Sequence, residues 1–519
     1  MIRTIKGANE LRGVKLFFLN AVMLAGVNIL IRLVSVSFNT YVSGKVGAEG
    51  MGLLTLVMSV YGLSVTLATS GVHLAAVRLT AEALAKGENN RTVIRGCILY
   101  SLLFGSFTAV LLFSLAEPLG MHLLGDVRTI PSLRVLALSL PAISLSTALA
   151  GYFTGVRRVV KNVIVSLSEQ FVKIFLTSAL LLLIAPAGIE YACLAVVGGS
   201  AIAEGASFAT SFVLYLTDKT RRCAPSENGA LASIRRVFSV GFPVAVGSYA
   251  RQGLLTAEHL AIPWGLRQSG ATASAALASY GVLHGMVFPL VLFPSAVLGA
   301  FSGLLVPEFT HAHERGDTER IQSMATKVLR TSLLFSLGVA GIFLSFSYEI
   351  GSAMYPGTDA GAQLARIAPL IPIMYLDSSV DAMLKGLGQQ VHSMKINIVD
   401  SALSLLLVFL LLPRFGMAGY IAVLYVCELL NATLSISRLL SITGLPVSIR
   451  RFIAKPIASI ILATAAVRFL AGYGIVPLIG AGESVALRIA FVAVIYAVLT
   501  VLTGAVGRDD ARFVKRIFA

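Results

Sequence analysis

The stretch VNILIRLVSVSF (residues 27–38) sets Arg32 in an apolar run, with Leu30 and Ile31 before it and Leu33, Val34 and Val36 after it. A helix with apolar residues on every side is not one that lies half in water. The run extends far enough in both directions to cross a bilayer, for which about 20 apolar residues suffice. An arginine at the centre of such a helix costs at least ~2.5–3.5 kcal/mol, so it marks a function unless a partner neutralises it. The stretch reads as a membrane span carrying a functional charge.

The rest of the 519-residue chain repeats the pattern. It is 56% hydrophobic and 13% charged, with a mean hydropathy of +0.85. That is more apolar surface than a soluble core can enclose, so the bilayer is the solvent. Apolar runs recur near 16–42, 51–74, 96–116, 132–154, 163–185, 191–216, 237–262, 271–300, 330–350, 363–384, 395–412, 417–437, 453–471 and 484–506. The expectation is an all-α polytopic protein with fourteen transmembrane helices, both termini on one side. Of the 41 Lys and Arg residues, 30 fall in the two tails and alternate loops. Eight fall in the opposite loops and span ends, and Arg32, Lys173 and Arg251 stay inside spans. The positive-inside rule then puts both termini in the cytoplasm and the chain in the cytoplasmic membrane. The same rule accounts for the net charge of +16 without nucleic acid. The basic start MIRTIKGANELRGVK leads into an apolar run too long for a signal peptide, and is expected to precede an uncleaved first span.

Catalysis is not expected. The chain has no Walker A loop, GxSxG elbow, HExxH helix or EF-hand loop. Cys97, Cys193, Cys223 and Cys427 stand far apart, with no CxxC and no cluster suited to a metal. No cofactor is implied. An internal repeat is the stronger signal. Gly52 is matched by Gly281 and KGENNR (86–91) by RGDTER (315–320), both at an offset of 229; Pro141 and Gly155 are matched by Pro372 and Gly386 at 231. The chain divides into six-helix bundles at 1–222 and 231–442, followed by two additional helices in 443–519. Six is even, so the bundles share orientation and are related by a pseudo-two-fold along the membrane normal, the plan of transporters that bind cargo between halves. Arg32 and Arg251 each fall in the first span of a half, roughly 20–26 Å of helix from the nearest flanking charges and so near the midplane. Two midplane guanidinium groups suit a phosphate-bearing substrate, because they bind its oxygens in pairs and stay charged. The carboxylates that would otherwise neutralise them are Glu204 and Glu428.

Three stretches resemble a known family. YVSGKVGAEGMGLLTLVMSVYGLSVTLATSGVHLAAVRLTAEALAKGE (41–88), SYGVLHGMVFPLVLFPSAVLGAFSGLLVPEFTHAHERGD (279–317) and LKGLGQQ (384–390) look like the stage V sporulation protein B family. That family belongs to the multidrug/oligosaccharidyl-lipid/polysaccharide exporter superfamily, alongside the lipid II flippases. The resemblance implies a flippase whose partners are membrane lipid and an undecaprenyl-diphosphate-linked saccharide, such as a peptidoglycan precursor or a polysaccharide repeat unit. It also implies arginines in the first and seventh spans lining a positive cavity, which Arg32 and Arg251 match in span and character, and a groove for the lipid tail at the last two spans.

Further intramembrane charges complete the candidates. Glu169 and Lys173, and Asp381 and Lys385, stand at i,i+4 and are expected to pair within their helices. Glu258 lies seven residues after Arg251, on the same helix face, and could release its charge to a proton or Na⁺ when cargo arrives. Asn397 and Ser401 stand at i,i+4 with Asp400 beside them, offering oxygen ligands to a hard cation; the lipid II flippase resemblance implies a sodium site between these same two spans. Two other functions fit the same chain: a multidrug cation antiporter, which would need an acidic, aromatic-lined pocket, and a non-transporting membrane scaffold for wall or spore-coat synthesis.

Overall fold

The computed structural model describes residues 2–69, 71–85, 90–184, 186, 188–218, 230–445, 454–472 and 481–504. Cys223, the first four residues of KGENNR and the basic tail beyond 504 lie outside them. Among the described residues there are helices and no strand. They are α1 (Ile2–Thr69), α2 (Val72–Ala85), α3 (Asn90–Pro118), α4 (Ile130–Gly155), α5 (Val159–Ile184), α6 (Ile189–Leu216), α7 (Ala230–Gln268), α8 (Ala273–Tyr280), α9 (Phe288–Leu292), α10 (Ser295–Glu314), α11 (Thr318–Met354), α12 (Ala360–Ile367), α13 (Ile371–Gly386), α14 (Gln390–Thr443), α15 (Lys455–Gly472) and α16 (Ala481–Leu502). A π-helical turn, Gly281–Val287, joins α8 to α9.

Ten helices among the described residues are long and apolar enough to cross a membrane. The count is lower than the fourteen spans expected, partly because two stretches run at double length. Gly26–Ala85 covers 60 residues and Gln390–Thr443 covers 54. Gly26–Ala85 contains two glycines at positive φ, Gly47 (φ 74°) within α1 and Gly71 (φ 80°) between α1 and α2, and Gln390–Thr443 contains one, Gly416 (φ 56°) within α14. Gly47 and Gly416 interrupt single helices. Both fall where the hydropathy pattern breaks, and only glycine takes that conformation without a Cβ clash.

The helices pack into two compact units. The first unit comprises Tyr41–Gly281 and Val408–Pro413. Its core joins Val72, Ala76 and Leu79 of α2 to Ile94 and Cys97 of α3 and to Leu149, Tyr152 and Phe153 of α4. Gly155 lets α4 close on α2, where a Cβ would lie 3.0 Å from the Val77 carbonyl and 2.9 Å from the Thr80 Cβ. At one end, the wholly buried Asp218 carboxylate holds Arg158 at 2.8 Å and Lys161 at 2.9 Å, tying the start of α5 to the end of α6. At the other end, Arg128 bridges Asp126 (2.7 Å) and Glu49 (2.8 Å), and Glu49 accepts from the Ser274 hydroxyl. Gly52 and Gly281 abut, each without room for a side chain.

The second unit comprises Met1–Thr40, Val282–Leu407 and Arg414–Ala519. Leu305, Phe309 and Ala312 of α10 pack with Met324 and Val328 of α11 and Val380, Met383 and Leu384 of α13. Here Gly386 lets α13 close on α10, where a Cβ would lie 3.0 Å from the Val306 carbonyl and 2.8 Å from the Phe309 Cβ. α15 and α16 seat on α11 at a notch of small residues. Gly338 faces the Tyr496 ring, Gly341 faces Ile460, and the Tyr496 hydroxyl donates to the Leu334 carbonyl at 2.7 Å.

Candidate functional site

Arg32 sits on α1 within the second unit with an exposed side chain, and its Nη1 donates to the Leu292 carbonyl at 3.4 Å. That carbonyl is available because the helix breaks beside it. Pro294 has no N–H to give Leu290. The Phe293 amide turns to Leu290 instead at 3.4 Å, and the Ala296 amide is given to Phe293 at 3.1 Å. The Leu292 carbonyl takes the Ser295 hydroxyl at 2.7 Å as well as Arg32. The Tyr375 hydroxyl of α13 inserts into the next rung, donating to the Val291 carbonyl at 2.5 Å and facing the Ser295 amide. Side-chain insertion of this kind is a recognised cause of sharp helix kinks.

The π-turn upstream is gripped in the same way. Asn39 Nδ2 donates to the Gly285 carbonyl at 2.8 Å, and the Tyr355 hydroxyl donates to the Met286 carbonyl at 3.3 Å while meeting Asn39 and Thr40. Arg32 and Asn39 are seven residues apart on α1, and so are their acceptors Leu292 and Gly285. The two segments run antiparallel, with two rungs set two turns apart. His284 Nε2 completes the grip against the Tyr420 hydroxyl at 2.8 Å.

Arg251 belongs to the first unit, on α7, and is exposed. Among the described residues it makes no hydrogen bond or ion pair. Glu258, two turns on, is buried within electrostatic reach of Tyr280, whose hydroxyl meets His259 Nδ1 at 2.7 Å. Asn397, Asp400 and Ser401 lie on α14 in the second unit. The Ser401 hydroxyl donates to the Asn397 carbonyl at 2.9 Å, and the Asn397 amide donates to the Ser393 carbonyl at 2.9 Å. Ser393 in turn donates to Asp381, which holds Lys385 at 2.6 Å, the pair expected from their spacing.

Glu204 and Glu428 have carboxylate neighbours. Glu204 lies within electrostatic reach of Glu169 and Lys173, and Glu428 within reach of Asp377 and Asp400. The expected intrahelical pair of Glu169 with Lys173 is not formed. Glu169 Oε2 accepts from Ser207 of α6 at 2.8 Å instead, a donor that faces it across the helix contact. Sequence reasoning missed the grip by Asn39, Tyr355 and Tyr375. No local signal in the sequence pointed to it, because the acceptors lie 246 and 260 residues from Asn39 and Arg32. Among the described residues, no three His, Cys, Asp or Glu side chains gather closely enough to hold a metal ion.

The fold defines a class: a helical, multi-pass membrane protein with the architecture of known transporters. The solved structure of the lipid II flippase MurJ in an inward closed conformation superposes with a TM-score of 0.66 at 13% identity, over 94% of this chain and 98% of that one. An inward-facing multidrug resistance MATE family transporter of the MOP superfamily gives 0.62 at 14% identity, over 81% of this chain and 99% of that one. The chain belongs to the polysaccharide biosynthesis protein family, whose profile matches residues 18–313. It is 25% identical to stage V sporulation protein B of Bacillus subtilis (strain 168) over 413 residues, 78% of this chain and 79% of that protein.

Proposed function

We propose that the protein is a flippase that carries an undecaprenyl-diphosphate-linked saccharide across the cytoplasmic membrane by alternating access. The observation that carries this reading is the arginine of each unit. Arg32 and Arg251 are exposed guanidinium groups on apolar helices, a costly placement that a diphosphate ligand rewards. Family membership and the likeness to stage V sporulation protein B and the lipid II flippase support the choice of cargo. Peptidoglycan precursors and polysaccharide repeat units share the prenyl diphosphate that the arginines would hold.

The reading includes fourteen spans with both termini in the cytoplasm, Gly47 and Gly416 serving as the joints within the two double-length helices. It also includes the two-half repeat. In support, Gly155 stands to Val77 and Thr80 as Gly386 stands to Val306 and Phe309, each contact displaced by 229–231 residues. Glu258 and the Asn397–Asp400–Ser401 group are proposed to couple transport to a proton or Na⁺, and α15 and α16 to accommodate the lipid tail.

The test is a flipping assay on arginine variants in proteoliposomes. Arg32→Ala and Arg251→Ala should each lower the rate at least about tenfold, the effect of one lost charge-assisted hydrogen bond. Lysine should rescue in part, keeping the charge without the fork. Full activity of the double alanine variant, with the protein present in the membrane, overturns the phosphate role. Coupling is tested by Glu258→Gln and Asp400→Asn, which should lose the response of flipping to an imposed proton or Na⁺ gradient. Unchanged gradient dependence in both places the coupling elsewhere.

A further inference from the structure

We propose that Arg32 is a cargo-operated release for the helix break at Phe293–Pro294: an anionic headgroup takes its guanidinium from the Leu292 carbonyl, and the turn beyond Leu292 loosens in answer. The inference rests on the reading of Arg32 as a phosphate ligand and adds what binding does to the fold.

Four side chains bond backbone carbonyls of the irregular segment 282–295, and they are not equal. Asn39 to Gly285 is 2.8 Å and Tyr375 to Val291 is 2.5 Å, both short, and Tyr375 is buried. Tyr355, also buried, shares its hydroxyl among Met286, Asn39 and Thr40. Arg32 to Leu292 is 3.4 Å, the longest of the four, and its side chain is exposed. It is the grip most readily exchanged. A neutral carbonyl offers Arg32 one acceptor, whereas a phosphate offers charge and two parallel bonds, so exchange runs towards the phosphate. A ligand shifts a conformational equilibrium only through contacts that differ between the two states. Here the differing contact is named: Arg32 on Leu292 in one state and on the headgroup in the other. When Arg32 leaves, Leu292 keeps the Ser295 hydroxyl alone, at a point where Pro294 has already removed one backbone donor. The Asn39 rung, two turns away and engaged with a different carbonyl, stays closed and confines the loosening to the break.

The experiment is hydrogen–deuterium exchange on the full chain in lipid nanodiscs, with farnesyl diphosphate as probe, farnesol as uncharged control, and binding of radiolabelled probe measured in parallel. With diphosphate, amides of Phe288–Leu298 should exchange about fivefold faster, the effect of one lost hydrogen bond on a local opening equilibrium. Those of Val282–Val287 should not change, and farnesol should do nothing. Arg32→Gln should exchange at the faster rate without probe and show no further response. If the probe binds wild type and leaves Phe288–Leu298 unchanged, or if the response persists in Arg32→Gln, the release is wrong while diphosphate binding stands. If the probe does not bind at all, the diphosphate reading fails, and the release with it.

Discussion

At the scale of the residue, two kinds of position stand out: a charge set in an apolar helix and glycines that the packing requires. Arg32 was legible in the sequence because nothing else in VNILIRLVSVSF is charged. Its acceptor was not, since Leu292 lies 260 residues away and becomes an acceptor only through the break at Pro294. Gly52 and Gly281 stood out in the sequence as a match at an offset of 229 residues. That they abut was not legible, because contact between distant residues leaves no local periodicity. Their closeness gives a prediction. Gly52→Ala drives a methyl into the Leu277 carbonyl and should cost about 1–3 kcal/mol, seen as a lower melting temperature in detergent. Gly205→Ala is the control. It has open space around it in α6 and should melt at or above the wild-type temperature.

At the scale of the element, hydropathy found the spans but not their interruptions. The run 271–300 reads as one helix, yet it contains α8, the π-turn, α9 and the break before α10. Its length and apolarity are those of a continuous span. The irregularity is stabilised by side chains of α1 and α13 that satisfy the freed carbonyls, as backbone within a membrane demands. The break at Gly416 depends on its own residue. Gly416→Ala places a Cβ at a positive-φ position (φ 56°, ψ −138°) and should cost about 1–3 kcal/mol by thermal melting. Asp218 is the sharper case. Asp218→Ala leaves Arg158 and Lys161 without their buried partner and should destabilise the α5–α6 end by about 3–5 kcal/mol, measured by the same melt. A loss under 1 kcal/mol would show that the two cations reach water unaided.

At the scale of the whole molecule, composition pointed to the membrane class and the helical architecture, and the distribution of lysine and arginine implies an orientation. They did not give the packing units. Met1–Thr40 falls with Val282–Leu407, a grouping that no local signal announces. Nor did they reveal that Glu428 lies within reach of Asp377 and Asp400, carboxylates 51 and 28 residues before it, because hydropathy does not report which faces of separate spans meet. Orientation is open to a direct check. In a cysteine-free background, Glu314→Cys should resist an impermeant thiol reagent in intact cells, while Val127→Cys and Pro356→Cys should react; labelling of Glu314→Cys from outside would invert the topology. The central claim is the nature of the cargo, and the most direct measurement places two cargoes side by side. Proteoliposomes holding the full chain are given a fluorescent undecaprenyl-diphosphate saccharide in one assay and a cationic dye in the other. The account predicts movement of the lipid-linked saccharide that depends on Arg32 and Arg251, with no transport of the dye. Dye efflux that survives loss of both arginines, without movement of the saccharide, would contradict it.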